Sequence, residues 1–191
     1  MFTGIIKEIG VISSINLKTK VLEIKSNFKK LVLGESISCS GICLTVSKIK
    51  KDIFQCNLSS ETISKTNIKN KKNGDKINLE RSLKMGEDIS GHLVFGHVDG
   101  QARLDKIIIE KGSWDLIFST SNELNRYLTE KCSISIDGIS LTVNKVYKKS
   151  FEVSIIPFTW KNTNLNFSKK GDFFNIEIDM LARYVFKALK K

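Results

Sequence analysis

Residues 36–46 read SISCSGICLTV and residues 133–143 read SISIDGISLTV; eight of these eleven positions are identical at a spacing of 97. In each stretch one glycine, Gly41 or Gly138, stands between a polar residue and a β-branched run. Such a glycine suits a bulge or tight bend in a barrel strand, which it permits at little steric cost. It equally suits backbone that faces a planar ligand. The same spacing pairs Glu61-Thr62 with Phe158-Thr159, Thr66-Asn67 with Thr163-Asn164, and Gly74-Asp75 with Gly171-Asp172. It also pairs Asn78 and Glu80 with Asn175 and Glu177. Upstream, Gly4-Ile5-Ile6 matches Gly96-His97-Val98 at a spacing of 92, a difference one loop absorbs at little entropic cost. Motifs that agree in order and spacing mark a duplicated module.

Two copies are too few for a solenoid, so the reading is a tandem pair of domains, 1–86 and 87–178, followed by a tail over 179–191. Strands are expected at 21–24, 43–46, 53–56 and 76–80, and again at 116–118, 141–143, 151–155 and 173–178. Short strands at such regular spacing predict small closed barrels, which leave no exposed sheet edge. One short helix is expected over 122–128, with its first-copy counterpart cut to a turn around 27–31. In the tail, Asp179 caps a helix whose apolar face is Leu181, Tyr184, Val185 and Leu189. That face either docks on its own chain or meets the same helix of a neighbour, and self-association is preferred.

The 191 residues are 41% apolar and 27% charged, a globular composition that excludes disorder, and no run is long enough for a membrane span. The net charge of +11 invites a nucleic-acid reading. Yet the lysines are spread along the whole chain, and Arg81, Arg103, Arg126 and Arg183 do not cluster, so no nucleic-acid partner is expected. The N-terminal MFTGIIKEIG carries charge at Lys7 and Glu8 and does not read as a signal peptide. Four cysteines then suggest free thiols in a reducing, cytoplasmic compartment.

The copies differ where reactive side chains appear. Cys43 matches Ser140, and Ser40 matches Asp137. Cys39, Cys56 and Cys132 read as small buried apolar residues, and no CxxC occurs. His92 and His97, with Asp99 beyond, leave open a metal site or a proton shuttle. There is no P-loop, dinucleotide fingerprint or Gly-x-Ser-x-Gly elbow.

MFTGI at 1–5, GICLTV at 41–46, GHLVFGHVDG at 91–100 and IDGISLTV at 136–143 together resemble the riboflavin synthase family of lumazine-binding tandem repeats, over essentially the whole chain. The resemblance implies an all-β fold of two six-stranded Greek-key barrels plus a C-terminal α-helix, assembled as a homotrimer partly through those helices. It implies a transferase that converts two molecules of 6,7-dimethyl-8-ribityllumazine into riboflavin and 5-amino-6-ribitylaminouracil, with no metal and no cofactor. The site would be composite, one lumazine in the N-terminal barrel of one subunit stacked on another in the C-terminal barrel of its neighbour. Residue by residue, the catalytic set carries over onto Phe2, Cys43, His97 and Ser140. Substrate-binding positions fall on Thr3, Gly4, Ser36, Gly41, Thr45 and Thr62 around the first barrel. Around the second they fall on Lys131, Asp137, Gly138, Thr142, Ile156 and Thr159. Association with lumazine synthase is a further partnership the resemblance leaves open. The chain departs from the family pattern at Phe95, commonly Ser or Thr, and at Ser40, often Asn. A non-catalytic lumazine- or flavin-binding relative, and a basic barrel binding RNA, are the competing readings.

Overall fold

The structure is a computed structural model that describes residues 1–189, so the last two positions of the expected 179–191 helix lie outside the described residues. The first barrel comprises β1 (Glu8–Asn16), β2 (Val21–Lys25), β3 (Ser36–Cys39), β4 (Ile42–Lys50), β5 (Ile53–Asn57) and β6 (Lys76–Arg81). The second comprises β7 (Gly100–Glu110), β8 (Ser113–Ser119), β9 (Ser133–Ile136), β10 (Ile139–Val146), β11 (Ser150–Ile155) and β12 (Phe173–Ile178). Every neighbouring pair is antiparallel, and the orders β1-β2-β5-β4-β3-β6 and β7-β8-β11-β10-β9-β12 both close into barrels. The expected strands are all present. Among the described residues no helix is long and apolar enough to cross a membrane.

Closure needs strongly coiled strands, and bulges supply the coiling. They fall between Ile12 and Ser14, Val46 and Lys48, Leu104 and Lys106, and Val143 and Lys145. These sites repeat at 92 positions for β1 and β7 and at 97 for β4 and β10. The intervening strand is instructive: Leu22, opposite Cys56, matches Leu116, opposite Val153, 94 positions on. The five extra residues therefore enter in two steps, at the β7–β8 hairpin and at the connection to β9, not in one loop.

Alternation fills each barrel with one face of every strand. Ile37, Val46, Phe54, Ile77 and Leu79 in the first core correspond to Ile134, Val143, Phe151, Phe174 and Ile176 in the second, all buried. Each fully enclosed side chain of this size contributes about 1.5–3 kcal/mol relative to exposure. After β5 and β11 come α1 (Ser60–Lys65) and α3 (Pro157–Asn162), each followed by a turn of 3-10 helix, Asn67–Asn70 and Asn164–Phe167. Ser59 caps α1 and Pro157 opens α3, but helices this short show no apolar periodicity. The expected helix over 122–128 is shorter, α2 (Asn122–Asn125).

The barrels meet about an approximate two-fold axis. Asn78 Oδ1 accepts the Asn164 N–H at 2.7 Å, and Asn175 Oδ1 accepts the Asn67 N–H at 2.7 Å. Asn78 Nδ2 donates to the Asp137 carbonyl and Asn175 Nδ2 to the Ser40 carbonyl. The β3–β4 and β9–β10 turns touch back to back: Ser40 and Gly41, like Asp137 and Gly138, have positive φ, and a Cβ on Gly138 would stand 2.7 Å from the Gly41 nitrogen. Gly41, Gly138 and Asp137, expected to face the ligand, lie at the contact between barrels. Asp137 is fully buried and accepts the Asn175 N–H at 2.7 Å, Asn164 Nδ2 at 2.6 Å and Asn67 Nδ2 at 3.1 Å. Burial pushes its carboxyl pKa up, opposed by nearby Lys71 and these donors.

The tail forms α4 (Met180–Leu189), with the Leu181 N–H donated to Asp179 Oδ1. Ala182 packs on the second core, and the Phe186 ring lies 4.8 Å from that of Tyr127. Leu181, Tyr184, Val185 and Leu189 stay exposed, so their face does not dock on its own chain.

Candidate functional site

Two short segments, 1–6 and 93–98, lead into the barrels and cross between them. Phe2 and Val94 exchange backbone hydrogen bonds at 2.7 and 3.0 Å and are both buried. Buried carboxylates hold each strap. Glu80 of β6 accepts the Thr3 N–H and Oγ1–H at 2.7 Å and the Gly4 N–H at 3.0 Å. Glu177 of β12 accepts the N–H groups of Phe95, Gly96 and His97 at 2.7, 2.8 and 3.1 Å. Burial raises both carboxyl pKa values, and these donors work against the rise.

Each strap then reaches the opposite barrel. The Gly96 carbonyl accepts the Cys43 N–H at 3.0 Å, and the Gly4 carbonyl accepts the Ser140 N–H at 2.8 Å. Both glycines have positive φ, and a Cβ would lie 2.5 Å from Cys43 Cβ or 2.6 Å from Ser140 Cβ. Only glycine allows that approach. Of the residues expected around the first barrel, Phe2 is fully buried against the 93–98 strap, Thr3 is buried on Glu80, and Gly4 borders the second barrel.

A cavity of about 490 Å³ opens beside Cys43. Strand β4 supplies Ile42 and Cys43, α1 and its N-terminal cap supply Ser59, Glu61, Thr62 and Lys65, and the strap and the residue after it supply Gly96, His97 and Asp99. Arg183 of α4 completes the wall. Thr62 is fixed by the α1 cap, its N–H donated to Ser59 Oγ at 2.9 Å. Arg183 donates to Asp99 Oδ2 at 2.7 Å, and Asp99 also accepts the Ile178 N–H at 2.8 Å. Burial raises the Asp99 pKa, opposed by the Ile178 N–H and Arg183. Arg183 Nε is buried without a partner. His97 is exposed and stacks on Phe95, ring centroids 6.0 Å apart. The wall therefore mixes a sulfur, hydroxyls, an imidazole and cations around a pocket large enough for a bicyclic ring with a polar tail.

The second barrel repeats the frame with different chemistry. Ser140 Oγ and His92 Nδ1 are 2.7 Å apart, and burial lowers the His92 pKa against the influence of Asp179. In place of Ser59 and Glu61 stand Ile156 and Phe158, 59% and 72% exposed, with half-buried Thr159 beside them. The two histidines thus serve opposite barrels. Among the described residues no cluster of three or more His, Cys, Asp or Glu could hold a metal ion.

Of the remaining expected positions, Ser36 faces Thr45 across β3–β4, and Thr142 faces Ser133 across β9–β10. They lie farther along the outer stripe that begins at Cys43 or Ser140. Lys131 is exposed, its backbone N–H bonded to the Val143 carbonyl. Sequence reasoning missed Ser59, Glu61, Lys65 and Arg183, and gave Glu80 and Glu177 no role. The last two were visible as a repeated pair.

The lumazine binding domain model matches residues 3–82 and 95–179. A riboflavin synthase of Brucella abortus is 41% identical, with 96% of each chain covered. That of Actinobacillus pleuropneumoniae is 39% identical over all of this chain and 91% of its own. Among solved structures, LumP complexed with 6,7-dimethyl-8-(1'-D-ribityl) lumazine aligns with a TM-score of 0.84 at 22% identity, covering 93% of this chain and 99% of that one. At that identity the likeness speaks for the fold.

Proposed function

Because the chain belongs to the riboflavin synthase family of lumazine-binding tandem repeats, we propose that it transfers a four-carbon unit between two molecules of 6,7-dimethyl-8-ribityllumazine. The products are riboflavin and 5-amino-6-ribitylaminouracil, and the two substrates together contain every atom of the two products. The carrying observation is the pair of strapped barrels, alike in backbone at Cys43 and Ser140 and unlike in side chains, with a cavity beside Cys43. A reaction between two identical molecules needs two similar sites, and different roles for the molecules need different site chemistry. Holding both rings removes much of the entropy cost of their encounter.

Cys43, Thr62, His97 and Arg183 serve the ring and tail of one lumazine, and Ser140, Thr159 and Ile156 serve the other. His97, exposed at the cavity wall, relays the proton leaving the acidic C7 methyl group. Ser140 or water adds to the partner ring. Phe2 and Thr3 act by fixing Gly4 against Ser140, and Glu177 does the same for Gly96 against Cys43. The two pockets meet between subunits of a homotrimer joined through α4, a reading supported by the uncovered face of that helix and by exposed Ile156 and Phe158. The enzyme works in the cytoplasm.

Steady-state turnover of the lumazine, alongside equilibrium binding of riboflavin, tests the assignment. His97→Gln should cut turnover at least ten-fold with little change in affinity, as expected for a group used in the transition state. Binding without turnover by the unaltered protein would show a ligand carrier instead of an enzyme.

A further inference from the structure

A second cavity, about 550 Å³, opens on the two-fold axis between the 3-10 turns Asn67–Asn70 and Asn164–Phe167 and the starts of β6 and β12. It shares no lining residue with the Cys43 cavity. Its backbone is symmetric, but its walls are not. At the repeat spacing of 97, Asn70, Lys71 and Lys76 correspond to Phe167, Ser168 and Phe173, so one wall is cationic and the other aromatic.

The aromatic wall is open to solvent, with Phe167 57% and Phe173 46% exposed, and Lys76 Nζ sits 5.7 Å from the centre of the Phe167 ring. Lys72 and Lys169 complete the rim. Asp75 and Asp172 also line the cleft, but each spends a carboxylate oxygen on its own turn, accepting the Lys72 and Lys169 N–H groups at 3.0 and 2.9 Å. Among the described residues none of the four lysines forms an ion pair. Asn67, at the floor of the cleft, breaks the symmetry as well. It is 2% exposed, and its Oδ1 has no hydrogen-bond partner, whereas Asn164 Oδ1 accepts from Asn78 Nδ2 at 2.9 Å.

We propose that this cleft binds a mononucleotide-type ligand, a planar heterocycle carrying a phosphate ester. The heterocycle lies on Phe167 and Phe173, and the phosphate meets Lys71, Lys72 and Lys76. Ammonium groups take phosphate as point charges and aromatic faces take flat rings regardless of base identity. A bare anion would leave the exposed phenylalanines without purpose, and a neutral ring would leave the lysines so.

Calorimetric titration of the full chain, pre-saturated with riboflavin so that the lumazine pockets are filled, tests this with AMP, adenosine and inorganic phosphate as probes. AMP should bind with a Kd below roughly 1 mM, and adenosine and phosphate at least ten-fold more weakly. The double variant Lys71→Ala/Lys76→Ala should weaken AMP at least ten-fold, Phe167→Ala about five-fold, and neither should alter lumazine turnover. Phosphate binding as tightly as AMP, AMP binding lost once riboflavin is present, unchanged AMP affinity in the variants, or no AMP binding up to about 10 mM would each overturn the proposal.

Discussion

Asp137 shows what a single position can hide. It stood out because it breaks the repeat, facing Ser40 in the other copy, and a polar residue beside a glycine turn reads the same whether it meets a ligand or a second barrel. In the fold it is the anchor for two asparagines and a strand N–H, with no solvent access. Asp137→Ala would strand the Asn175 N–H and Asn164 Nδ2 and leave Asn67 Nδ2 only the Phe173 carbonyl, so urea denaturation should show a loss of about 3 kcal/mol, with riboflavin affinity nearly unchanged under native conditions. Lost affinity at unchanged stability would restore it to the ligand site. Gly138→Ala combines a positive φ with a clash against backbone and should cost about 2–4 kcal/mol in the same assay. His92 adds a pH signature. Its folded pKa lies below the ordinary value near 6.5, so its contribution to stability is present above that pH and fades as the pH falls toward the lowered value. Glu80, Glu177, Asp99 and Asp137, all raised, run the other way, stabilising below the ordinary carboxylate range and losing that contribution as pH rises through their folded values. His92→Gln should therefore flatten the decline in Tm between about pH 7 and pH 5 that belongs to the imidazole alone; an unchanged pH profile would show that it does not matter there.

Helices and strands were legible to different degrees. The strands follow from alternation, since one face of each fills a barrel, and the repeat confirmed them twice over. α1 and α3 escaped because six residues cannot display a 3.6-residue period, though Ser59 and Pro157 mark their starts. Their importance is out of proportion to their length, since α1 brings Glu61, Thr62 and Lys65 to the Cys43 cavity and its caps add Ser59 and Thr66. α4 was readable as a helix, while Arg183 escaped because it lies off the apolar stripe. That stripe sets the next prediction. Leu181→Glu/Val185→Glu leaves Arg183 and Ala182 in place, so sedimentation should shift from trimer to folded monomer and turnover should fall by at least ten-fold. A stable trimer in this variant would place the subunit contact elsewhere.

At the level of the whole molecule, the repeat announced two barrels but gave no hint that their leading straps exchange places. Spacing in sequence records which residues correspond, not which barrel a segment visits. The exchange alters what a fragment should do. Residues 1–86 contain a complete barrel and its strap but lack Gly96, His97, Asp99 and Arg183, so a lone copy has an unfinished cavity. Two copies can finish each other's, because the 1–6 strap of one can lie over Cys43 of the other as the 93–98 strap does in the intact chain. The fragment should sediment as a dimer and quench riboflavin fluorescence only at concentrations where it dimerises. Tight binding by a monomer would show that the strap is dispensable.

Such a dimer is what one unduplicated repeat would make, its two pockets written by one gene and so bound to be the same. In such a dimer every substitution appears in both places at once, and neither pocket can be tuned to give while the other receives. Two repeats in one chain are free of that constraint. With each strap separately encoded, Ile5 and His97, or Cys43 and Ser140, can differ as they do here, which is what treating two identical molecules differently requires.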